Sequence, residues 1–232
     1  MASNILKEIT SLWRVAAAEF IGTFVFTFVS LSLVLVNAIN AEIGVLAIAL
    51  GSGLAYMAMV FATVHISGGH LNPAITLALW FTKRVGALAA TIYICAQILA
   101  GFVAALCAFF VFSEKSLDSS LGATVLGSGV SLQSAVGLEA ILTAVLIFTY
   151  FSCMVDRRGP LSFGPLVLGV TMIVGLLIAL PTTGASLNPA RVIGAAVITG
   201  SYNELVVWLI GPLAGSLFGF VYEYVFLKKS SK

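Results

Sequence analysis

Six long apolar runs constrain the fold of this chain more than any other feature. A helix rises about 1.5 Å per residue, so about 20 apolar residues are needed to cross the ~30 Å hydrocarbon core of a bilayer. Runs of this length lie near residues 15–36, 43–64, 85–112, 135–155, 161–180 and 205–227. They are continuous rather than alternating, which argues against the strands of a membrane barrel. The sequence therefore predicts an all-α membrane protein with six transmembrane helices.

The composition supports a membrane location and excludes several classes of function. Only 9% of the 232 residues are charged, whereas a water-exposed surface needs about 25%. The net charge of +2 is too small to indicate a nucleic-acid partner. Cys95, Cys107 and Cys153 lie in apolar runs without the spacing of metal ligands, so we expect them to pack and predict neither a metal nor a cofactor. The sequence contains no nucleophile–base set or phosphate-binding loop, so we do not expect an enzyme.

Two shorter apolar stretches, at roughly 66–82 and 181–200, do not reach a spanning length. Each contains Gly, Pro and Asn near its start, and an Asn-Pro pair suits a helix start because Asn is a preferred cap and Pro a preferred first residue. Irregular backbone at membrane depth is tolerated only against protein or a water-filled cavity. We therefore predict two re-entrant half-helices, which begin at Asn72-Pro73-Ala74 and at Asn188-Pro189-Ala190.

The two halves of the chain repeat one another. Leu-Asn-Pro-Ala occurs at residues 71–74 and again at 187–190, 116 residues later, and a lone acid interrupts the first and the fourth apolar run, Glu19 and Glu139. We expect a single channel domain, 1–232, with internal repeats at about 13–112 and 134–227. Because three full spans separate the Asn-Pro-Ala copies, the second half is inverted. The half-helices then enter the bilayer from opposite faces and meet near its midplane.

Basic residues mark one side of the predicted membrane protein. On that side lie Lys7, Arg14, Lys83, Arg84, Arg157, Arg158, Lys228, Lys229 and Lys232. The opposite loops contain Glu42, Glu114, Asp118 and Glu204, with Lys115 as their base. Because basic loops stay in the cytoplasm, both termini are predicted to be cytoplasmic. The plasma membrane and a vacuolar or other internal membrane remain alternatives.

Two helix starts that face each other at the midplane have an electrostatic consequence. Each start carries about half a positive elementary charge. Two of them form a positive constriction in a low-dielectric wall, which repels cations and protons while neutral hydrogen-bonding solutes pass. The amides of Asn72 and Asn188 are then expected to donate hydrogen bonds to the passing oxygen. The alternative is that both asparagines serve only as caps of two buried helices.

Residues 65–74 and 184–191 closely resemble the two signature loops of the major intrinsic protein family. The resemblance extends over the whole chain, including the six apolar runs and the acids Glu19 and Glu139, and is nearest to tonoplast-type and related microbial members. It implies the aquaporin fold, a homotetramer with one pore in each protomer, and the passive passage of water and small neutral solutes across a lipid bilayer. Members of this family are themselves the standard example of the electrostatic barrier described above.

Arg191 is the only base inside the apolar body of the chain. Burying a charge at membrane depth costs at least about 2.5–3.5 kcal/mol, so we expect it to face an aqueous path, with a structural ion pair as the alternative. The resemblance identifies it as the arginine of the family's selectivity filter, whose other positions fall on Ser52, Leu176 and Ala185. Strict water channels of the family usually have an aromatic residue at the first of these positions and His at the second. The resemblance therefore implies a wider and more apolar filter here.

The predicted function is a water-conducting channel with a relaxed filter that also admits small neutral solutes. Glycerol-conducting members resemble one another in placing Asp after the filter arginine and Lys one turn later, where this chain has Val192 and Ala196. A glycerol, urea or ammonia facilitator is the first alternative, and a scaffold that keeps the fold without the flux is another. A secondary transporter with inverted repeats would need a coupling carboxylate near the half-helix ends, and neither Asn-Pro-Ala segment contains an acid.

Four titratable residues are predicted to support the loops. For Glu19 and Glu139 a proton relay is one interpretation. The resemblance suggests another, in which each carboxylate accepts backbone N–H donors from a re-entrant loop. His65 and His70 flank Ser-Gly-Gly before the first half-helix. They are interpreted either as a pH gate or as residues that hydrogen-bond backbone carbonyls and shape the loop.

Overall fold

The computed structural model describes residues 2–39, 43–112, 125–202 and 204–227, with side chains from residue 12 onward except that of residue 39. Helices make up nearly all of these residues, and the described ranges contain no strand. The helices are α1 (Ala2–Ile39), α2 (Gly44–Ser67), α3 (Pro73–Phe81), α4 (Ala87–Phe112), α5 (Leu132–Tyr150), α6 (Gly164–Ala179), α7 (Pro189–Thr199), α8 (Leu205–Ser216) and α9 (Phe218–Tyr222).

Six of the described helical segments are long and apolar enough to cross a membrane, which confirms the predicted fold class. They are Leu12–Ala38, Gly44–Ser67, Ala87–Phe112, Leu132–Val155, Leu161–Ala179 and Leu205–Leu227. The fourth and sixth spans end in single π-helical turns, Phe151–Val155 and Glu223–Leu227, and the fifth begins with a 3₁₀ turn, Leu161–Phe163. Large apolar side chains such as Phe110 and Ile141 are exposed on the outer surface, where they would contact the lipid of a bilayer.

The half-helices α3 and α7 comprise 9 and 11 residues. Both are shorter than the stretches predicted from the sequence, because the residues before each Asn-Pro pair form irregular loops rather than helix. Several of these loop residues have a positive φ that a helix does not contain. The loops therefore bring each half-helix to its start inside the protein.

The helices of the two halves of the chain pack in a corresponding way. The first span packs against the second and third, α1 against α2 and α4, and the fourth packs against the fifth and sixth, α5 against α6 and α8. Helices α2 and α6 join the two halves. Each half-helix crosses over: α3 packs against α8 as well as α4, and α7 packs extensively against α4. Each half therefore provides a wall for the half-helix of the other.

Glycines permit the closest of these crossings. A Cβ atom on Gly101 of α4 would overlap the backbone of Ala190, and one on Gly194 of α7 would overlap the backbone of Gly101. Similarly, a Cβ atom on Gly53 of α2 would lie 3.0 Å from the carbonyl oxygen of Gly169 on α6. Backbones that approach so closely leave room for no side chain, and small residues at helix contacts are typical of membrane proteins.

Contacts between connecting segments place two of the basic residues, Arg84 and Arg158, at one end of the sixth span. Arg84 forms an ion pair with Glu223 at 2.9 Å, and Arg158 donates a 2.8 Å hydrogen bond to the carbonyl oxygen of Phe226. The segments after α3 and after α5 therefore lie beside the end of the sixth span. Glu204, at the other end of that span, accepts a 3.3 Å hydrogen bond from the N–H of Leu126.

Several residues used to predict the orientation fall outside the structural description. The side chain of Lys7 is not described, and neither are the following residues: Glu42, Glu114, Lys115, Asp118, Lys228, Lys229 and Lys232.

Candidate pore and selectivity filter

Asn72 and Asn188 cap the two half-helices. Both have extended backbones, with φ of −156° and −145°, and each is followed by a proline at the first helical position. The Oδ1 atom of Asn72 accepts a 2.9 Å hydrogen bond from the N–H of Ala74, and that of Asn188 accepts a 3.1 Å bond from Ala190. Each asparagine therefore satisfies one N–H that a helix start leaves without a partner.

The same two asparagines connect the loops to each other. Nδ2 of Asn72 donates to the carbonyl oxygen of Leu187 at 2.7 Å, and Nδ2 of Asn188 donates to that of Leu71 at 2.7 Å. The two helix starts therefore meet, and both asparagines are completely buried. A primary amide carries two N–H donors, so each Nδ2 has a second donor beyond the one bound to the opposite loop.

Non-glycine residues in the loops adopt the left-handed backbone conformation. Leu71 has φ of 51°, Leu187 of 47° and Ala185 of 64°. Such conformations cost about 1–3 kcal/mol each and persist only where surrounding contacts enforce them. Groups around these loops must therefore hold their backbones in this conformation.

Glu19 of α1 binds the first loop with both carboxylate oxygens. Its Oε1 accepts from the N–H of His70 at 3.0 Å and from the Ser67 hydroxyl at 2.5 Å. Its Oε2 accepts from the N–H of Leu71 at 2.7 Å and from Nε2 of Gln97 at 2.7 Å. A buried carboxylate with four donors has its lone pairs satisfied.

Glu139 of α5 makes the corresponding contacts with the second loop. Its Oε1 accepts from the N–H of Ser186 at 2.8 Å and from the Thr183 hydroxyl at 2.5 Å, while Oε2 accepts from the N–H of Leu187 at 2.9 Å. Among the described residues, no glutamine donates to Glu139, and Gly211 of α8 lies beside its side chain. The contacts of the two acids therefore correspond closely but not completely.

The two histidines lie in different environments. His70 is buried, with Nδ1 3.1 Å from the Thr76 hydroxyl and its ring 4.8 Å from the ring of Tyr93. His65 is exposed near Trp13 and Arg14 on the outer surface. Among the described contacts, His70 pairs with a hydroxyl group rather than with a loop carbonyl.

Three tyrosines bind backbone carbonyl groups of the first loop. The hydroxyl of Tyr93 donates to the carbonyl of Ser67 at 2.9 Å, that of Tyr150 to Gly68 at 2.9 Å, and that of Tyr56 to His70 at 3.2 Å. In the second half, Nε1 of Trp208 donates to the carbonyl of Thr183 at 2.8 Å. Sequence reasoning missed the loop contacts of all four residues, although a hydroxyl or indole N–H buried in an apolar span does require an acceptor.

Arg191 is the largest fully buried side chain among the described residues. Its Nη1 donates to the carbonyl oxygen of Ala185 at 2.5 Å, and its Nε donates to the hydroxyl of Ser30 at 2.9 Å. Within the described part of the chain, Nη2 has no hydrogen-bond partner, and neither of the two ion pairs includes this arginine. A structural ion pair, the alternative considered from the sequence, is therefore not observed there.

Two other candidate filter residues, Ser52 and Leu176, lie on the two helices that join the halves. Ser52 of α2 is completely buried, and in the described chain its hydroxyl has no partner. It precedes Gly53, which contacts Ile173 of α6, and Leu176 follows Ile173 by almost one turn. The hydrogen bonds connect Ala185 directly with Arg191, whereas Ser52 and Leu176 lie on neighbouring helices without a hydrogen bond to the arginine.

Comparison with known proteins places this geometry in a family. The model of the major intrinsic protein family matches residues 6–222. The chain is 36% identical to aquaporin TIP4-4 of Zea mays, over 92% of this chain and 87% of the relative. It is 33% identical to aquaporin Z of Photorhabdus laumondii, over 93% of this chain and 99% of the relative. Among solved structures, the aquaglyceroporin from Plasmodium falciparum superposes with a TM-score of 0.79 at 25% identity, covering 92% of this chain and 96% of that one.

Proposed function

Because the chain belongs to the major intrinsic protein family, we propose that it forms a passive transmembrane channel that conducts water and also admits other small neutral solutes. The family indicates a channel rather than an enzyme. The observation that carries the proposal is the reciprocal pair of hydrogen bonds between Asn72 and Asn188 and each other's loops. This pair joins two helix starts inside a body of six spans.

The exclusion of ions follows from the two helix starts. Each start contributes about half a positive elementary charge, and the low-dielectric surroundings strengthen the repulsion of a cation. The second N–H of each asparagine amide is the donor that would orient a passing water oxygen. The positive ends of the two half-helices would also exclude protons, as in other members of this family.

The selectivity filter would combine polar and apolar walls. In the proposed arrangement Nη2 of Arg191 and the hydroxyl of Ser52 offer unpaired polar groups, while Leu176 and the methyl group of Ala185 offer apolar contact. A serine and a leucine leave more room than an aromatic residue and a histidine. We therefore favour passage of urea- or glycerol-sized solutes in addition to water.

Glu19 and Glu139 would act as loop supports rather than as a proton relay. Each carboxylate accepts two consecutive backbone N–H groups and a hydroxyl from the loop that precedes a half-helix. Both oxygens of each acid therefore already have donors. His70 would support the same loop through Thr76, whereas the exposed position of His65 favours no role in a gate.

The basic face would be cytoplasmic, so that both termini lie in the cytoplasm. Arg84 and Arg158 contact the end of the sixth span at this face, and basic segments are retained on the cytoplasmic side of membranes. The family further favours a homotetramer with one pore per protomer. A main role as a glycerol, urea or ammonia facilitator is the second candidate function, and Ser52 and Leu176 are the residues that favour it.

Stopped-flow light scattering of proteoliposomes tests the proposal. Vesicles with the protein should shrink faster than protein-free vesicles in an impermeant osmolyte, with a weak temperature dependence. A Ser52→Trp variant should lose this flux, while Ile141→Trp, on the outer surface, should keep it. Wild-type protein that assembles correctly but gives no added flux of water, urea or glycerol would contradict the proposal.

A further inference from the structure

We propose that Ser30 of α1 is a positioning residue for the selectivity filter, because it fixes the orientation of the Arg191 guanidinium. The inference rests on the proposed channel function and extends the filter by a fifth residue. The Oγ atom of Ser30 accepts a 2.9 Å hydrogen bond from Nε of Arg191, although the two residues are 161 positions apart in the sequence. Both residues are buried, with exposed fractions of 0% and 1%.

The contact distinguishes Ser30 from the other buried hydroxyls of its helix. Thr23 and Thr27 lie on the same helix and are equally buried, yet their Oγ1 atoms have no partner among the described residues. Burial of a hydroxyl on α1 is therefore not by itself a sign of contact with the filter. Ser30 is the member of this set that meets the arginine.

The two hydrogen-bonded nitrogens of the Arg191 guanidinium determine where its third nitrogen, Nη2, points. The guanidinium is planar and rigid, so bonds from Nε to Ser30 and from Nη1 to the carbonyl of Ala185 define its plane and its rotation within that plane. Nη2 is then left as the group without a partner in the described chain. The serine thus selects which N–H donors of Arg191 remain available to a solute.

Removal of the Ser30 hydroxyl leaves the arginine with one fixed contact. The guanidinium can then pivot about its hydrogen bond to Ala185. Its Nε–H, now without a partner, turns toward the water in the lumen of the channel. A Ser30→Ala variant should therefore lower water permeability and lower urea permeability still more. We expect an effect of about two- to tenfold, the range by which one net hydrogen bond shifts an equilibrium.

A spectroscopic measurement tests the contact independently of transport. In protein labelled with ¹⁵N-arginine, the Nε–H signal that disappears in Arg191→Lys is assigned to Arg191. Its hydrogen exchange should be slow in the wild type, faster in Ser30→Ala, and slow again in Ser30→Thr, which retains a hydroxyl. Thr27→Val, which removes an unpartnered hydroxyl from the same helix, is the matched control and should leave the signal unchanged.

A double-mutant cycle tests whether Ser30 acts through the arginine. In an Arg191→Val background, Ser30→Ala should cause no further change in the ratio of urea to water permeability. An equal change in both backgrounds, or unchanged Nε–H exchange in Ser30→Ala, would overturn the proposal. If Ser30→Ala does not assemble, Ser30→Cys provides the same comparison, because a thiol is similar in shape but a weak acceptor.

The two proposals fail in different ways. Absence of flux through the wild type would contradict the channel function, while the exchange measurement would still decide the contact between Ser30 and Arg191. Normal flux with unprotected Nε–H in the wild type would contradict only the role of Ser30.

Discussion

The side chains of Asn72 and Asn188 bind each other's loops, since each Nδ2 donates a 2.7 Å hydrogen bond to the carbonyl oxygen of the residue before the other asparagine. Each Oδ1 meanwhile accepts from its own half-helix. Each asparagine therefore caps its own half-helix with its amide oxygen and joins the opposite loop with its amide nitrogen. Substitutions can separate these tasks.

Asn72→Asp and Asn188→Asp should preserve the caps and remove the joining contact. Aspartate accepts the capping hydrogen bond as well as asparagine does, but it has no N–H donor and brings a negative charge to the meeting point. Water permeability should fall, and cation leak should rise because the positive potential of the helix starts is offset. Stopped-flow permeability and cation-dependent dye quenching in the same vesicles measure the two effects. Unchanged values for both would show that the asparagines act only as caps.

Glu19→Gln and Glu139→Gln should destabilise the protein without changing proton permeability. A glutamine presents an amide nitrogen where the carboxylate accepted a backbone N–H, so one buried donor loses its partner in each variant. The expected cost is about 1–3 kcal/mol, visible as a lower unfolding temperature in detergent. A proton relay predicts the opposite pattern, in which stability is kept and a proton flux is changed.

Leu176→His should replace the apolar wall of the proposed filter by a polar ring with an N–H donor, at nearly the same side-chain volume. Glycerol and urea permeability should then fall by more than water permeability, because the larger solutes lose the apolar contact that the leucine offers. Uptake of the three solutes by the same vesicle preparation gives the ratios directly. Leu177→His, on the neighbouring position of α6, is the control. A wild type that already excludes glycerol and urea would refute the relaxed filter.

Gly101→Ala should separate α4 from the half-helix α7. The added methyl group would overlap the backbone of Ala190, and overpacking of this kind costs about 1–3 kcal/mol. Gly137→Ala is the matched control, since a Cβ atom on that exposed helical glycine meets no atom within 4 Å. The free energy of unfolding of this control should rise by up to about 1 kcal/mol, because alanine has a higher helix propensity than glycine. Equal unfolding temperatures for the two variants would contradict the close-approach argument.

The contribution of Asp156 to the stability of the protein should depend on pH only in the acid range. Hydrogen bonds from Arg158 hold the pKa of the Asp156 carboxyl well below its ordinary value of 3.8. A lowered pKa contributes stability above the ordinary value, and this contribution is lost as pH falls toward the lowered one. The unfolding temperatures of wild type and Asp156→Asn should therefore differ at neutral pH and converge well below about pH 4. Arg157→Gln, in the same loop, should show no such convergence.

The length and hydropathy of the runs were sufficient to predict six spans, and the Asn-Pro pairs were sufficient to predict where the half-helices begin. These features depend on local chemistry, such as the missing N–H of Pro73 and the capping oxygen of Asn72. The contacts of Ser30 and Tyr150 could not be predicted in the same way. A serine in a membrane helix commonly bonds to its own backbone, and only the fold shows that Ser30 meets Arg191.

The crossed packing of the half-helices has a consequence for synthesis. Helix α3 packs against α8, which begins at Leu205, more than 120 residues after α3 ends at Phe81. At about 5–20 residues per second, a ribosome needs on the order of 6–25 s to make that interval. Throughout this time α3 lacks the wall that α8 provides. The packing around the first half-helix is therefore completed last, after the sixth span has left the ribosome.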